Sequence, residues 1–116
     1  MKTETFKLST PLKTHSGEIS EIVLKEPTAK AFLEHGEPFT MKPQYNGEGA
    51  HEGSLFVFDN NKAMMGFLSE MTVPRIDDII LSGMSASDFR IIRYVAANII
   101  FGGVQSKDPT VPSNDS

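Results

Sequence analysis

The chain contains no cysteine, which excludes disulfides, thiol nucleophiles and every thiolate-ligated zinc or iron–sulfur centre. No apolar run approaches the ~20 residues that a membrane-spanning helix requires. The opening Met1-Lys2-Thr3-Glu4-Thr5 leads into an alternating pattern instead of the continuous apolar stretch of a signal peptide. A cytoplasmic protein with no membrane partner is therefore expected. Lys and Arg number 11 against 15 Asp and Glu, a formal charge of -4 with no block of like sign longer than a few residues. Such a balance repels a phosphate backbone unless basic groups are concentrated somewhere, and no such patch is present, so nucleic acid is not an expected partner.

What is present is ordinary for a folded domain: 116 residues, 39% apolar and 22% charged. That length buries a modest core without disulfides or a structural metal. The expected organisation is one α+β domain over residues 1–103, followed by a flexible tail, 104–116, whose polar, Pro- and Ser-bearing composition offers nothing to pack.

Phe6, Leu8 and Leu12 fall at even spacing, the period of a strand with one buried face, and Pro11 between them suits an edge strand. The stretch 13–17 has turn chemistry, and the run 19–24 reads as the second strand of an antiparallel hairpin. Ile22 and Leu24 share a face while Ile19 falls out of the alternation, which places a bulge near Ser20 and Glu21. Pro27 suits the first turn of a short helix carrying Ala31, Phe32 and Leu33, with Gly36 just beyond its end.

From 37 to 54 the chain is rich in Gly and Pro, so no packed helix is expected there; the flanking segments 39–45 and 54–59 suit a second hairpin, although Pro43 argues against a long strand. Asp59 or Asn60 is placed to cap a helix whose apolar side is Ala63, Met64, Phe67, Leu68 and Met71. Met65 points off that side and is its most exposed apolar member by this spacing. Pro74 is then placed to open a short third helix with Ile76, Ile79 and Ile80 inward and Gly83 closing it.

Ser85-Ala86-Ser87-Asp88 is the sharpest local signal, an N-cap with a carboxylate three residues on, flanked by Met84 and Phe89 as a hydrophobic staple. A helix over 86–101 follows, ended by Gly102 and Gly103. At about 100° per residue, Phe89, Ile91, Ile92, Val95, Ala96, Ile99 and Ile100 sweep half its circumference. That is more than one neighbour needs, so the helix either sits centrally or spends the surplus on a second chain. Tyr94 and Phe101, beside Arg90 on the nominally polar arc, are candidates for an exposed binding patch. With Met65, whose flexible thioether adapts to irregular surfaces, these four residues form the candidate partner-binding set.

Catalytic motifs do not emerge. His15, His35 and His51 fall in three separate turns or helix ends without metal-ligand spacing, so no metal site is expected from them. His35 suits the favourable field at a helix C-terminus. Asp77 and Asp78 are adjacent on a helix and diverge by about 100°, which does not serve acid–base chemistry. The segment 47–53 has three glycines but neither the Lys-Ser/Thr of a phosphate loop nor a dinucleotide spacing. No serine stands in a nucleophile elbow. A non-enzymatic protein without cofactor or small-molecule substrate is expected.

In their order along the chain, these phrases resemble a family, the short tail assembly chaperones of tailed phages and prophages of the Mu-like type. The resemblance rests on Leu8 to Pro11 with Leu12, the turn at Gly17, the phrase Leu24-Lys25-Glu26-Pro27, and Met84-Ser85-Ala86-Ser87-Asp88-Phe89 ahead of the last helix. The segment 37–58 is longer than the family's usual middle. The resemblance implies a non-enzymatic role in virion morphogenesis, binding the long, mostly helical tape measure protein and keeping it soluble until tail-tube subunits polymerise around it; a second copy of the chain is a further candidate partner. The rival expectation is a small adaptor or regulator that binds a protein through an edge strand and an apolar helix face.

Overall fold

Two antiparallel hairpins and four α-helices make an α+β fold. The computed structural model describes residues 3–102, except for the side chains of residues 51, 52 and 54; the expected tail lies outside the described residues. The first hairpin joins β1 (Thr3–Thr14) to β2 (Gly17–Lys25). Gly17 takes a φ of 135°, which only glycine adopts without strain, and the Thr14 hydroxyl donates to the Gly17 carbonyl at 2.9 Å to close the turn. Ile22 and Leu24 are buried as the alternation requires.

The irregularity expected at Ser20 exists, but the extra residues belong to β1. Lys7 pairs with Glu21 and Leu12 with Ile19, so the stretch 8–11 faces Ser20 alone. This wide bulge turns Leu12 into the core. It also strips β1 of ladder partners for its own backbone donors, and Pro11, which has none, sits within it without loss.

α1 (Ala29–His35) begins one residue after Thr28, its N-cap. Pro27 is therefore ahead of the cap and not in the first turn, as the sequence pattern had it. Gly36 ends the helix as expected, its N–H donating to the Phe32 carbonyl at 2.9 Å with φ 85°. Ala31 is buried, whereas Leu33 faces outward at 86% exposure, so only part of the Ala31-Phe32-Leu33 cluster packs.

The second hairpin pairs β3 (Thr40–Tyr45) with β4 (His51–Val57). Pro43 sits opposite Ser54, tolerated because in a two-stranded sheet every strand is an edge. The loop between the strands is closed by Asn46, whose Oδ1 accepts the N–H groups of Glu48 and Ala50 at 2.8 and 3.0 Å.

α2 (Asn61–Met71) is capped by Asn60, whose Oδ1 accepts the Ala63 N–H at 3.2 Å. Its expected apolar side, Ala63, Met64, Phe67, Leu68 and Met71, is buried throughout. The exit is stitched by buried hydroxyls: Ser69 Oγ donates to the Ile76 carbonyl, and Thr72 Oγ1 accepts the Ile76 N–H, each at 2.7 Å. Val73 N–H reaches back to the Val23 carbonyl of β2 at 2.9 Å, which fastens α2 to the first hairpin.

α3 is a single turn, Asp78–Leu81. Pro74 precedes it by several residues and does not open it. Its inward residues also differ from the expected set: Leu81 is fully buried, Ile76 and Ile80 are half-buried, and Ile79 is 82% exposed. α4 (Ala86–Ala97) then runs into a π-helical turn, Asn98–Gly102, so the single helix expected over 86–101 changes pitch at Asn98. One core unites Leu12, Ile22 and Leu24 from the hairpin with Met64, Phe67, Leu68 and Met71 of α2, Leu81 of α3, and Ile92, Ala96 and Ile99 of the last helix.

Candidate functional site: the aromatic face of the last helix

α4 is positioned at its first turn. Ser85 Oγ accepts the Asp88 N–H at 3.1 Å, the expected N-cap. The Asp88 carboxylate does not reach back to close a capping box. It accepts the Ser9 N–H at 3.1 Å on both oxygens and the Thr10 N–H at 3.4 Å, the donors stranded in the β1 bulge. Burial opposes its ionisation, but the donors from Ser9, Ser85 and Thr10 outweigh that and hold its pKa below the usual carboxylate range.

With its first turn so held, α4 buries Ile92, Ala96 and Ala97 and turns Arg90, Ile91 and Tyr94 outward. Ile91 is thereby removed from the expected buried sweep, at 56% exposure. The π turn continues this outer strip with Phe101, 45% exposed, against 48% for Tyr94. Three of the four expected partner-binding residues, Arg90, Tyr94 and Phe101, thus lie on one exposed face. Met65 is elsewhere: it is half-buried against the core from α2 and is not the exposed probe its spacing implied.

Neither aromatic ring of the strip stands alone. Tyr94 meets Phe58 edge-on at a centroid distance of 4.9 Å, and Phe101 meets Phe56 at 6.4 Å. Phe39 completes the row, 5.1 Å from Phe56. Each such pair contributes about 0.5–1.5 kcal/mol beyond its buried area. Arg93 lies behind the strip with its guanidinium 4.5 Å from the Phe58 ring and 5.4 Å from Phe89, while its Nη1 donates to Asn61 Oδ1 at 2.9 Å. Its Nε is buried without a protein acceptor. The second hairpin, through Phe56, and the residue just after the hairpin, Phe58, are in this way docked on the last helix by edge-on aromatic contacts and one arginine.

Beside the strip, Phe32, Pro38, Phe39, Met41, Ile100 and Phe101 line an open, mostly apolar groove of about 520 Å³, with Glu37 at its rim. Sequence reasoning missed Phe39, Phe56, Phe58 and Arg93 as parts of this surface. The aromatic run at 55–58 was visible, but its docking partner is more than thirty residues away.

The histidines are dispersed as expected where they can be described: His15 is exposed in the first hairpin turn, and the side chain of His51 lies outside the described residues. His35, however, is 3.4 Å from Glu70 of α2 and 4.0 Å from Glu34, a juxtaposition that spacing between histidines does not reveal. Glu70 is desolvated by burial, yet hydrogen bonding with His35 and Glu34 and the charges of Arg75 and Lys30 hold its pKa below the ordinary value.

Comparison with family models, curated proteins and solved structures finds no match to this chain. Among the described residues no helix is long and apolar enough to cross a membrane.

Proposed function

We propose that the protein is a tail assembly chaperone of a tailed phage or prophage that binds the tape measure protein, and that the outer face of α4 and its π turn is the docking surface. The observation that supports this reading is the exposure of Ile91, Tyr94 and Phe101 along the last helix, the last of them also lining the apolar groove with Phe39 and Ile100. An amphipathic helix docks by laying an apolar stripe into such a groove, anchored at helical spacing. The chaperone resemblance in the chain order names a client of that shape, long and mostly helical. In this reading Arg90 at the edge of the strip pairs with acidic residues of the client, and the charge of -4 helps keep the complex soluble.

The chemistry asked of the protein is small. It covers apolar client surface and releases it when a tube subunit competes for the same stripe, so affinity rests on a few aromatic anchors rather than on buried ion pairs. The functional reading is non-enzymatic and needs no cofactor, and it places the protein in the host cytoplasm, where tails assemble. The test is co-expression with the tape measure protein from the same locus, with soluble client measured by pull-down and light scattering after size exclusion. Rescue of soluble client in a defined complex supports the reading. Absence of both rescue and binding replaces it with an adaptor for some other protein.

A further inference from the structure

The last turn of α1 and the last turns of α2 bring Glu34, His35 and Glu70 together, with one ligand atom from each lying within 4.8 Å of the others. His35 and Glu70 are largely covered, with side-chain exposures of 27% and 18%, and Glu34 at 45% forms the open side. Both carboxylates address the same ring nitrogen: Glu70 Oε2 at 3.4 Å and Glu34 Oε1 at 4.0 Å from His35 Nε2. A ring nitrogen offers at most a single N–H, which Glu70 is within reach of, while Glu34 at 4.0 Å stands beside the ring as a second carboxylate. Lys30 holds the other oxygen of Glu34, at 3.4 Å, which leaves Oε1 aimed inward.

The backbone is shaped for the ring. Gly66, in the middle of α2, lies under the imidazole, and a Cβ there would come within 2.7 Å of the ring's Cγ and closer still to Nδ1. A mid-helix glycine costs about 1 kcal/mol relative to alanine, and here its missing side chain leaves room for the ring to lie against the helix with Nε2 turned to Glu70. Phe67, 6.2 Å from the ring, walls the inner side.

We infer that Glu34, His35 and Glu70 form a binding site for one divalent transition-metal ion, with Zn²⁺ the best match. An imidazole with two carboxylates is a borderline donor set that suits zinc over the hard cations Mg²⁺ and Ca²⁺. Zinc takes such ligands at about 2.0–2.2 Å in tetrahedral geometry, which puts neighbouring ligand atoms about 3.3 Å apart. The Nε2 to Glu70 separation already has that value, and Glu34 closes by a small rotation of its exposed side chain. The ion becomes the shared partner of both carboxylates and the neutral imidazole, and water completes the fourth position. Because the site joins the end of α1 to α2, occupancy fastens the wall that carries Phe32, one side of the apolar groove.

The test uses the full chain, stripped with chelator and titrated with Zn²⁺ in a calorimeter, with Mg²⁺ as control and Co²⁺ absorption as a second readout. The expected result is one equivalent of Zn²⁺, a raised melting temperature, tetrahedral Co²⁺ bands and no heat with Mg²⁺. Glu70→Gln, which is nearly isosteric, and His35→Ala are each expected to weaken binding by about tenfold or more. Gly66→Ala keeps all three ligands but displaces the ring, and weakens binding as well. No binding by the folded wild-type chain, or binding that Glu70→Gln and His35→Ala leave unchanged, overturns the inference. Far-UV circular dichroism of each variant separates loss of the site from loss of the fold.

Discussion

The carboxylate of Asp88, in the first turn of α4, accepts the backbone N–H of Ser9 at 3.1 Å across 79 positions of sequence. This contact joins the one irregular stretch of β1 to the helix that carries the proposed docking strip. Asp88→Asn leaves one acceptor oxygen and removes the charge, and the expected cost is about 1.5–3 kcal/mol, the range for a hydrogen bond to a charged group.

The pH dependence of that loss has a definite sign. Asp88 has a lowered pKa in the folded chain, so its stabilisation is fully present above the unfolded value, about 3.9, and disappears as pH falls through the lower folded value. Thermal melts of wild type and Asp88→Asn are therefore expected to differ at pH 7 and to converge toward pH 2. Parallel curves across that range would show that the charge is not what holds the bulge.

This contact also marks how far the sequence could be read. The Ser85 cap, the apolar side of α2, the Gly36 stop and both hairpins follow from local spacing and turn chemistry, which act over a few residues and are visible in one dimension. The long-range role of the Asp88 carboxylate, three residues after the cap, is not legible in the sequence because it accepts from donors that only the β1 bulge exposes. Ile79, expected inward, is exposed, and Leu81, outside the expected inward set, is buried, because α3 is too short for a wheel to have meaning. An isolated-helix wheel turns Met65 outward, yet the surrounding elements half-bury it. At the candidate site, Arg90, Tyr94 and Phe101 were legible as apolar or charged residues off the core stripe, whereas Phe56, Phe58 and Arg93 join them only through tertiary docking.

Gly66 offers a second prediction. Gly→Ala in a helix interior ordinarily stabilises by up to about 1 kcal/mol, but here the added methyl meets the His35 ring. Gly66→Ala alone is expected to destabilise the metal-free chain, and the same change in a His35→Ala background to stabilise it. Denaturant titrations of the four-member cycle measure the reversal.

Arg93 and Phe58 should be energetically coupled. With the guanidinium 4.5 Å from the ring and its Nε shielded from water, a double-mutant cycle of Arg93→Met and Phe58→Leu is expected to give about 0.5–2 kcal/mol of interaction energy. A value near zero would mean that the guanidinium adds nothing to the docking beyond the aromatic contacts.

Ile91 separates binding from folding. It is 56% exposed, so Ile91→Asp should change stability by no more than about 0.5 kcal/mol while abolishing most client capture in pull-down. Tyr94→Ser and Phe101→Ser are expected to lose binding and some stability together, because each ring also supports the second hairpin.

The most direct test of the docking surface is site-specific photo-crosslinking in cells co-expressing the tape measure protein, with the probe at position 91, 94 or 101 and, as control, at His15 in the first hairpin turn. Client adducts are expected from all three positions on the last helix and none from position 15. Adducts from position 15 alone, or none from any position while soluble client is present, would contradict the assignment of the client to the α4 face.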